Sequence, residues 1–210
     1  MICQSNHGKY FHFYQKRSEM KYQIYLGRFS PIHHGHIRTI NTMVSNFGYD
    51  NCLLLIGSCA SPFSRRLFYT YSQRREMIKI LYPDISICGL PDYKDVDDDP
   101  EFKQWHYNLR DIIKLKFPDA TIYNTSFIIG SEKDAYFFKN YNTEIIDRED
   151  SIPGFSATEL RERLLYDHGF SPLKSFKTPP RELKELTDSR IIDKINKYFL
   201  ENFNKFKLGD

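Results

Sequence analysis

Apolar runs of strand character alternate with helical patterns through the middle of this 210-residue chain. "YQIYLGRF", "CLLLIG", "ISICGL", "SFIIGS" and "TEIIDR" read as strands. Between and after them lie helical patterns. His34 to Asn46 carries Ile37, Ile40 and Val44 on one face, and "YSQRREMIKILY" begins near Ser72 as its expected N-cap. "EFKQWHYNLRDIIKLKF", "KDAYFFKNY" and "SATELRERLLYD" follow, the last with Leu160 and Leu164 four apart. Strands buried on both faces and separated by helices make an α/β fold, a parallel sheet of about five strands flanked by helices. Such sheets bind ligands at the carboxyl ends of their strands.

The ends of the chain differ from its middle. Residues 1–19 show no clear period and read as an N-terminal extension, because Met20 stands directly before the first core strand. Residues 20–170 form the expected domain. Residues 171–210 form a C-terminal helical segment, loop-rich at first and then amphipathic in "SRIIDKINKYFLENFNKF". That helix can pack on the domain or on a second copy, which leaves a homo-oligomer open.

Composition narrows the function classes. Thirty Lys and Arg against 27 Asp and Glu leave a net charge of only +3, which demands neither nucleic acid nor a membrane. "CLLLIG" is far too short to span a bilayer, and the N-terminus lacks a signal-peptide apolar region. Four scattered cysteines form no CxxC pair, and Cys52 and Cys88 read as buried free thiols. A soluble cytoplasmic protein is the expectation.

"GRFSPIHHGH", Gly27 to His36, leaves the first strand through a tight turn and sets histidines at the start of a helix. The helix offers unpaired backbone N–H groups and the positive end of its dipole, a setting for an anion. Gly27 permits close backbone approach, Pro31 stiffens the turn, and His33 and His36 are three apart, so both reach one spot. Imidazole N–H donors there would stabilise charge growing on phosphate oxygens. No Cys or Asp stands at a metal-ligand spacing beside them, so no protein metal site is expected.

The stretch resembles the GRFxPxHxGH signature of the HxGH nucleotidyltransferase superfamily. It looks most like nicotinamide mononucleotide (NMN) adenylyltransferases of the archaeal type and the equivalent domain of Nudix-fused bacterial enzymes. Later stretches are similar to further segments of that family: "LLLIGSCASPF", "LFYTYSQRREMI" at Thr70, Arg74, Met77 and Ile78, "FIIGSEKDAYFF", and "GFSATELRERL" at Ser156, Thr158 and Arg161. Leu67 and Phe68 stand where Asn and Pro are expected, and Phe155 replaces Ile. No Nudix box follows residue 168.

The resemblance implies a Rossmann-like fold and attack of the NMN 5′-phosphate on the α-phosphorus of ATP, giving NAD and pyrophosphate. It places His33, His36 and Arg161 in catalysis. Gly27, Arg28, Phe29, Gly35, Gly130, Lys133, Asp134, Ser156 and Thr158 fall at ATP. Ser58, Arg65, Arg66, Arg74, Asp92 and Trp105 fall at NMN, with the three arginines on its phosphate and Trp105 stacked on the pyridine ring. Mg²⁺ would be carried by the phosphates.

Each residue has a plainer reading. Arg161 sits in a charged helix face, Ser156 can be a simple N-cap, and Trp105 can be a core residue beside Leu109 and Ile112. Arg28, Arg65 and Arg66 can be surface charges, and Lys133 and Asp134 the first turn of a helix. Two other functions stay open. One is a related transferase using nicotinate mononucleotide, pantetheine phosphate or FMN as acceptor, or CTP as donor. The other is a catalytically silent nucleotide-sensing or nucleic-acid-binding protein, against which the three catalytic candidates and the near-neutral charge weigh.

Overall fold

A computed structural model describes residues 20–61, 64, 67–92, 100–130, 135, 138, 140–146, 156–170 and 181–207. Five strands form one parallel sheet: β1 (Tyr22–Gly27), β2 (Cys52–Gly57), β3 (Ser86–Leu90), β4 (Thr125–Ile129) and β5 (Asn142–Ile145). Their spatial order is β3-β2-β1-β4-β5. The chain therefore starts in the middle, walks outward to β3, and returns to place β4 on the other side of β1. The reversal between β1 and β4 opens a crevice at their carboxyl ends, the usual ligand position in such a sheet. The fold is a Rossmann-like α/β architecture, as the alternating pattern implies.

Alternation along each strand divides the core. Tyr25, Cys52, Leu54, Ile56 and Ile128 face one layer, with Ile40 and Met43 of α1 (His34–Phe47) and Met77, Ile78 and Leu81 of α2 (Tyr71–Leu81). The same layer takes Leu160, Leu164 and Leu165 of α4 (Ala157–Asp167). Ile24, Leu53, Leu55, Phe127 and Ile129 face the opposite layer, where α3 (Pro100–Lys116) packs through Trp105, Leu109 and Ile113. Each buried Leu, Ile or Phe stabilises by about 1.5–3 kcal/mol, so the alternation specifies the register.

The C-terminal segment closes the first layer. A short α5 (Leu183–Leu186), a 3₁₀ turn (Ser189–Ile191) and α6 (Ile192–Lys207) bury Leu186, Ile191, Ile195 and Phe199 there. Asn202 Nδ2 donates to the Phe68 carbonyl at 2.8 Å, and Lys194 pairs with Glu76 of α2 at 2.6 Å.

Three local readings change. The N-cap of α2 is Thr70, not Ser72: its Oγ1 accepts from Gln73 N at 3.3 Å and the Gln73 side chain answers on Thr70 N at 3.0 Å. That reciprocal box satisfies two helix-end donors where a Ser72 cap would satisfy one. Cys88 is only half-buried, whereas Cys52 is fully buried and its thiol is pushed up to about 12 by desolvation. Helix α5 lies within the stretch read as loop-rich. Residues 1–19 and most of the expected "KDAYFFKNY" helix lie outside the described residues. No helix among the described residues is long and apolar enough to cross a membrane.

Candidate active site

The β1–α1 turn is built around two histidines that cap their own helix. His33 occupies the N-cap in extended conformation, and its Nδ1 accepts from Gly35 N at 3.1 Å. His36 Nδ1 accepts from His33 N at 3.3 Å. This is the reciprocal capping box usually made by Ser or Thr with Glu or Gln. An accepting Nδ1 carries no proton, so each neutral ring holds its hydrogen on Nε2. The caps thus select one tautomer for both rings, whose centroids lie 3.7 Å apart. His33 is buried and His36 half-buried.

Phe29 supports the pair from below. Its ring is 1% exposed, packs 4.9 Å from the His36 ring and sits edge-on to Tyr25 at 5.1 Å. A Cβ on Gly27 would meet that ring at 2.9 Å, so glycine is required there for Phe29 to fold inward. Phe29 adopts a φ of 49°, a left-handed conformation disfavoured for a bulky residue. Among the expected ATP residues Phe29 therefore offers its backbone, while its side chain is a prop for His36.

Arg161 reaches this turn from α4. Its Nη1 donates to the Ser30 carbonyl at 2.9 Å and its Nη2 to Thr158 Oγ1 at 3.1 Å, with the guanidinium 5.9 Å from the Phe68 ring. Ser156 caps α4, its Oγ accepting from Glu159 N at 3.1 Å. The first and last motifs, separated by more than a hundred residues, thus meet at one place. Arg28 is exposed at the exit of β1. Gly130 follows β4 at the facing edge, and Lys133 and Asp134 lie outside the described residues.

A second corner lies at the ends of β2 and β3, which pair in register from Leu53↔Ser86 to Gly57↔Leu90. Ser58 Oγ donates to Asp92 Oδ1 at 2.8 Å, and Ser61 Oγ to Asp92 Oδ2 at 2.5 Å. The exposed Asp92 carboxylate is thereby held in place. Ser61 carried no signal in the sequence, since its role depends on a residue 31 positions away. Arg65 and Arg66 lie outside the described residues.

Two residues expected at the acceptor are buried. Arg74 is 1% exposed and points inward. Its Nη1 donates to the Arg28 and Gly57 carbonyls at 2.8 Å each, its Nη2 to Ser58 O at 2.9 Å, and its Nε to Thr70 O at 3.3 Å. Burial pulls its guanidinium down to about 10, against the opposing pull of Cys59 and Asp92, so it remains a cation at neutral pH. It ties the backbone of the β1 exit, the β2 exit and the α2 N-cap together. Trp105 is 7% exposed and packs edge-on to Phe138 at 5.9 Å, so the indole belongs to the core.

A family model described as cytidylyltransferase-like matches residues 24–163, which include both histidines, Ser156, Thr158 and Arg161. The chain belongs to the cytidylyltransferase-like family. This cytidylyltransferase-like chain is 36% identical over 80 residues to a probable nicotinate-nucleotide adenylyltransferase of Legionella pneumophila (strain Corby), covering 36% of this chain and 35% of that protein. It thus spans about a third of the length of that relative. A nicotinate-nucleotide adenylyltransferase of Bacillus subtilis (strain 168) is 25% identical over 191 residues, 87% of this chain and 96% of that one. Among solved structures, a bifunctional NMN adenylyltransferase/ADP ribose pyrophosphatase from Francisella tularensis, complexed with AMP and a Mn ion, superposes with a TM-score of 0.63. The identity is 18%, over 90% of this chain and 53% of that one. The NadR protein in complex with NAD and AMP-PNP gives 0.56 at 20% identity, over 71% of this chain and 44% of that one. At these identities the structural likeness is one of fold.

Proposed function

We propose that this chain transfers the adenylyl group of ATP to nicotinamide mononucleotide, forming NAD and releasing pyrophosphate, in the cytoplasm. The observation that carries the reading is the histidine capping box, which sets both imidazoles at a helix N-terminus beside Arg161. An oxygen of the acceptor 5′-phosphate forms a bond to the α-phosphorus as the bond from that phosphorus to the bridging β-oxygen breaks. The attacking phosphate is already ionised at neutral pH, so no general base is needed. Catalysis reduces to alignment and to stabilising charge on the α-phosphate and the leaving pyrophosphate. His33 and His36 serve the α-phosphate, and Arg161 with the α4 N-terminus at Ser156 and Thr158 serves the β- and γ-phosphates. Arg28, the Gly27 and Gly35 backbone, Gly130, Lys133 and Asp134 complete the ATP side.

The AMP and Mn ion of the Francisella protein suggest a divalent cation, with Mg²⁺ the natural partner of ATP. Among the described residues no three His, Cys, Asp or Glu side chains converge on a cation. The triphosphate, not a carboxylate cage, would carry the metal.

The acceptor side rests on Ser58 and Asp92, with Arg65 and Arg66 at its phosphate. The names of the Legionella and Bacillus relatives favour nicotinate mononucleotide. Asp92 favours the amide: a fixed carboxylate can accept from a carboxamide N–H₂, whereas a nicotinate carboxylate would face a like charge. Two like charges about 4 Å apart cost about 1–4 kcal/mol between bulk water and a surface-like dielectric, a factor of roughly five to several hundred. The test is pyrophosphate release from ATP, and from CTP, with NMN, nicotinate mononucleotide, pantetheine phosphate and FMN. ATP with NMN should give the highest kcat/KM. Higher kcat/KM with nicotinate mononucleotide would overturn the acceptor assignment, and no release with any pair would overturn the reaction.

A further inference from the structure

Three carbonyls of the histidine turn, at alternating positions, are each gripped by a side chain from a different distant element. Arg74 of α2 holds Arg28 O at 2.8 Å, Arg161 of α4 holds Ser30 O at 2.9 Å, and Thr187 Oγ1 holds Ile32 O at 2.9 Å. The donors stand 46, 131 and 155 residues away in sequence. The turn itself is buried: Phe29 and Ser30 are 1% exposed and Ile32 is 0% exposed. Buried carbonyls need partners, and a turn cannot supply them from a ladder of its own. The left-handed Phe29 lies between the first two gripped carbonyls, and such backbone persists only where its surroundings over-determine it.

Arg161 belongs to the proposed phosphate site, but Arg74 and Thr187 do not. Thr187 follows α5 in the C-terminal segment, is 0% exposed, and lies beyond the residues matched by the family model. It grips the carbonyl immediately before His33, the N-cap whose ring is set by the cap bond to Gly35. We propose that Thr187 and Arg74 are positioning residues for His33 and His36, and that residues around 187 are thereby part of the catalytic apparatus. The kinetic consequence rests on the adenylyl-transfer reading above. The conformational consequence does not.

The principal variant is Thr187→Val, which keeps the shape and removes the donor. Thr187→Ser restores the hydroxyl. Ile195→Val, at another fully buried site of the same segment, controls for stability alone. Kinetics of pyrophosphate release and amide hydrogen exchange at Gly35 and His33 are measured on the full chain. Thr187→Val should lower kcat about tenfold or more while KM for ATP stays within about twofold, because misplacing a catalytic group costs rate more than binding. Exchange at both amides should accelerate about tenfold or more. Thr187→Ser should stay within about twofold of the parent on both readouts, and Ile195→Val should keep kcat and exchange despite a lower melting temperature. Arg74→Lys, which keeps the charge but cannot span the same carbonyls, should repeat the kcat loss and serves if Thr187→Val does not fold. Normal kcat and exchange in a folded Thr187→Val or Arg74→Lys would overturn the proposal, as would equal losses in Ile195→Val. If the parent turns over none of the acceptors, the function reading fails, and exchange at Gly35 and His33 still decides the positioning role.

Discussion

At the exit of β1 residues 29–32 are buried, and the carbonyls of Arg28, Ser30 and Ile32 are gripped by side chains from three distant elements. At the exits of β2 and β3, by contrast, the Ser58–Asp92 pair stands with its carboxylate exposed and its partners drawn from neighbouring strand ends. The first corner is over-determined; at the second Ser58 is buried with a φ of 53°, and only the exposed Asp92 side chain can change without disturbing the core. That difference fits their proposed tasks. Stabilising charge at a reacting phosphorus needs donors fixed within a fraction of an ångström. Choosing between an amide and an acid needs only the right charge nearby. Arg74 joins the corners, since it donates to Arg28 O on one side and to Gly57 O and Ser58 O on the other.

The largest effect expected lies outside both corners. Trp105→Ala should cost about 3–5 kcal/mol of stability, the scale for emptying a buried aromatic site. NMN affinity in the folded fraction should be nearly kept. A selective loss of NMN binding with the melting temperature unchanged would return the indole to the acceptor site and make the second corner larger than described. Next comes the rigid corner itself. His36→Ala should lower kcat by roughly 10²-fold, the scale of one positioned transition-state donor. It should also remove the partner of His33 N, so exchange of that amide should rise in parallel. Near-normal kcat would dissolve the contrast between the corners.

Arg161→Lys comes third, with an expected loss of about tenfold in kcat/KM for ATP. A lysine cannot hold Ser30 O and Thr158 Oγ1 at once while meeting a phosphate. Unchanged ATP kinetics would leave Arg161 as a brace alone. Asp92→Asn should have the smallest effect and sharpen the contrast most. Turnover with NMN should change by no more than about threefold, whereas turnover with nicotinate mononucleotide should rise several-fold as the like charge disappears. An unchanged ratio between the two acceptors would remove Asp92 from acceptor choice.

Much of this was legible in the residue pattern, and the failures have physical causes. The five strands follow from apolar alternation buried on both faces, a local signal. The histidine turn follows from residue types at adjacent positions, so motif and geometry coincide. The carbonyl bonds of Arg74 are not legible in the sequence, because a guanidinium in a ligand-facing motif looks the same whether it grips carbonyls or phosphates. Trp105 has the same ambiguity between stacking and core. The Thr70 cap was hidden by a competing serine two residues on. Thr187 and Ser61 left no trace, because each acts through a contact whose partner is fixed by the fold, not by local sequence.

The central claim is that the cap bonds hold both histidines as Nε2–H donors for a phosphate. Long-range ¹H–¹⁵N NMR of the imidazoles, on the full chain with and without ATP and Mg²⁺, addresses it directly. The Nε2–H tautomer is expected for His33 and His36 in the free protein. Addition of ATP should shift both Nε2 resonances while each Nδ1 stays unprotonated. An Nδ1–H tautomer at either residue, or Nε2 resonances indifferent to saturating ATP, would contradict it.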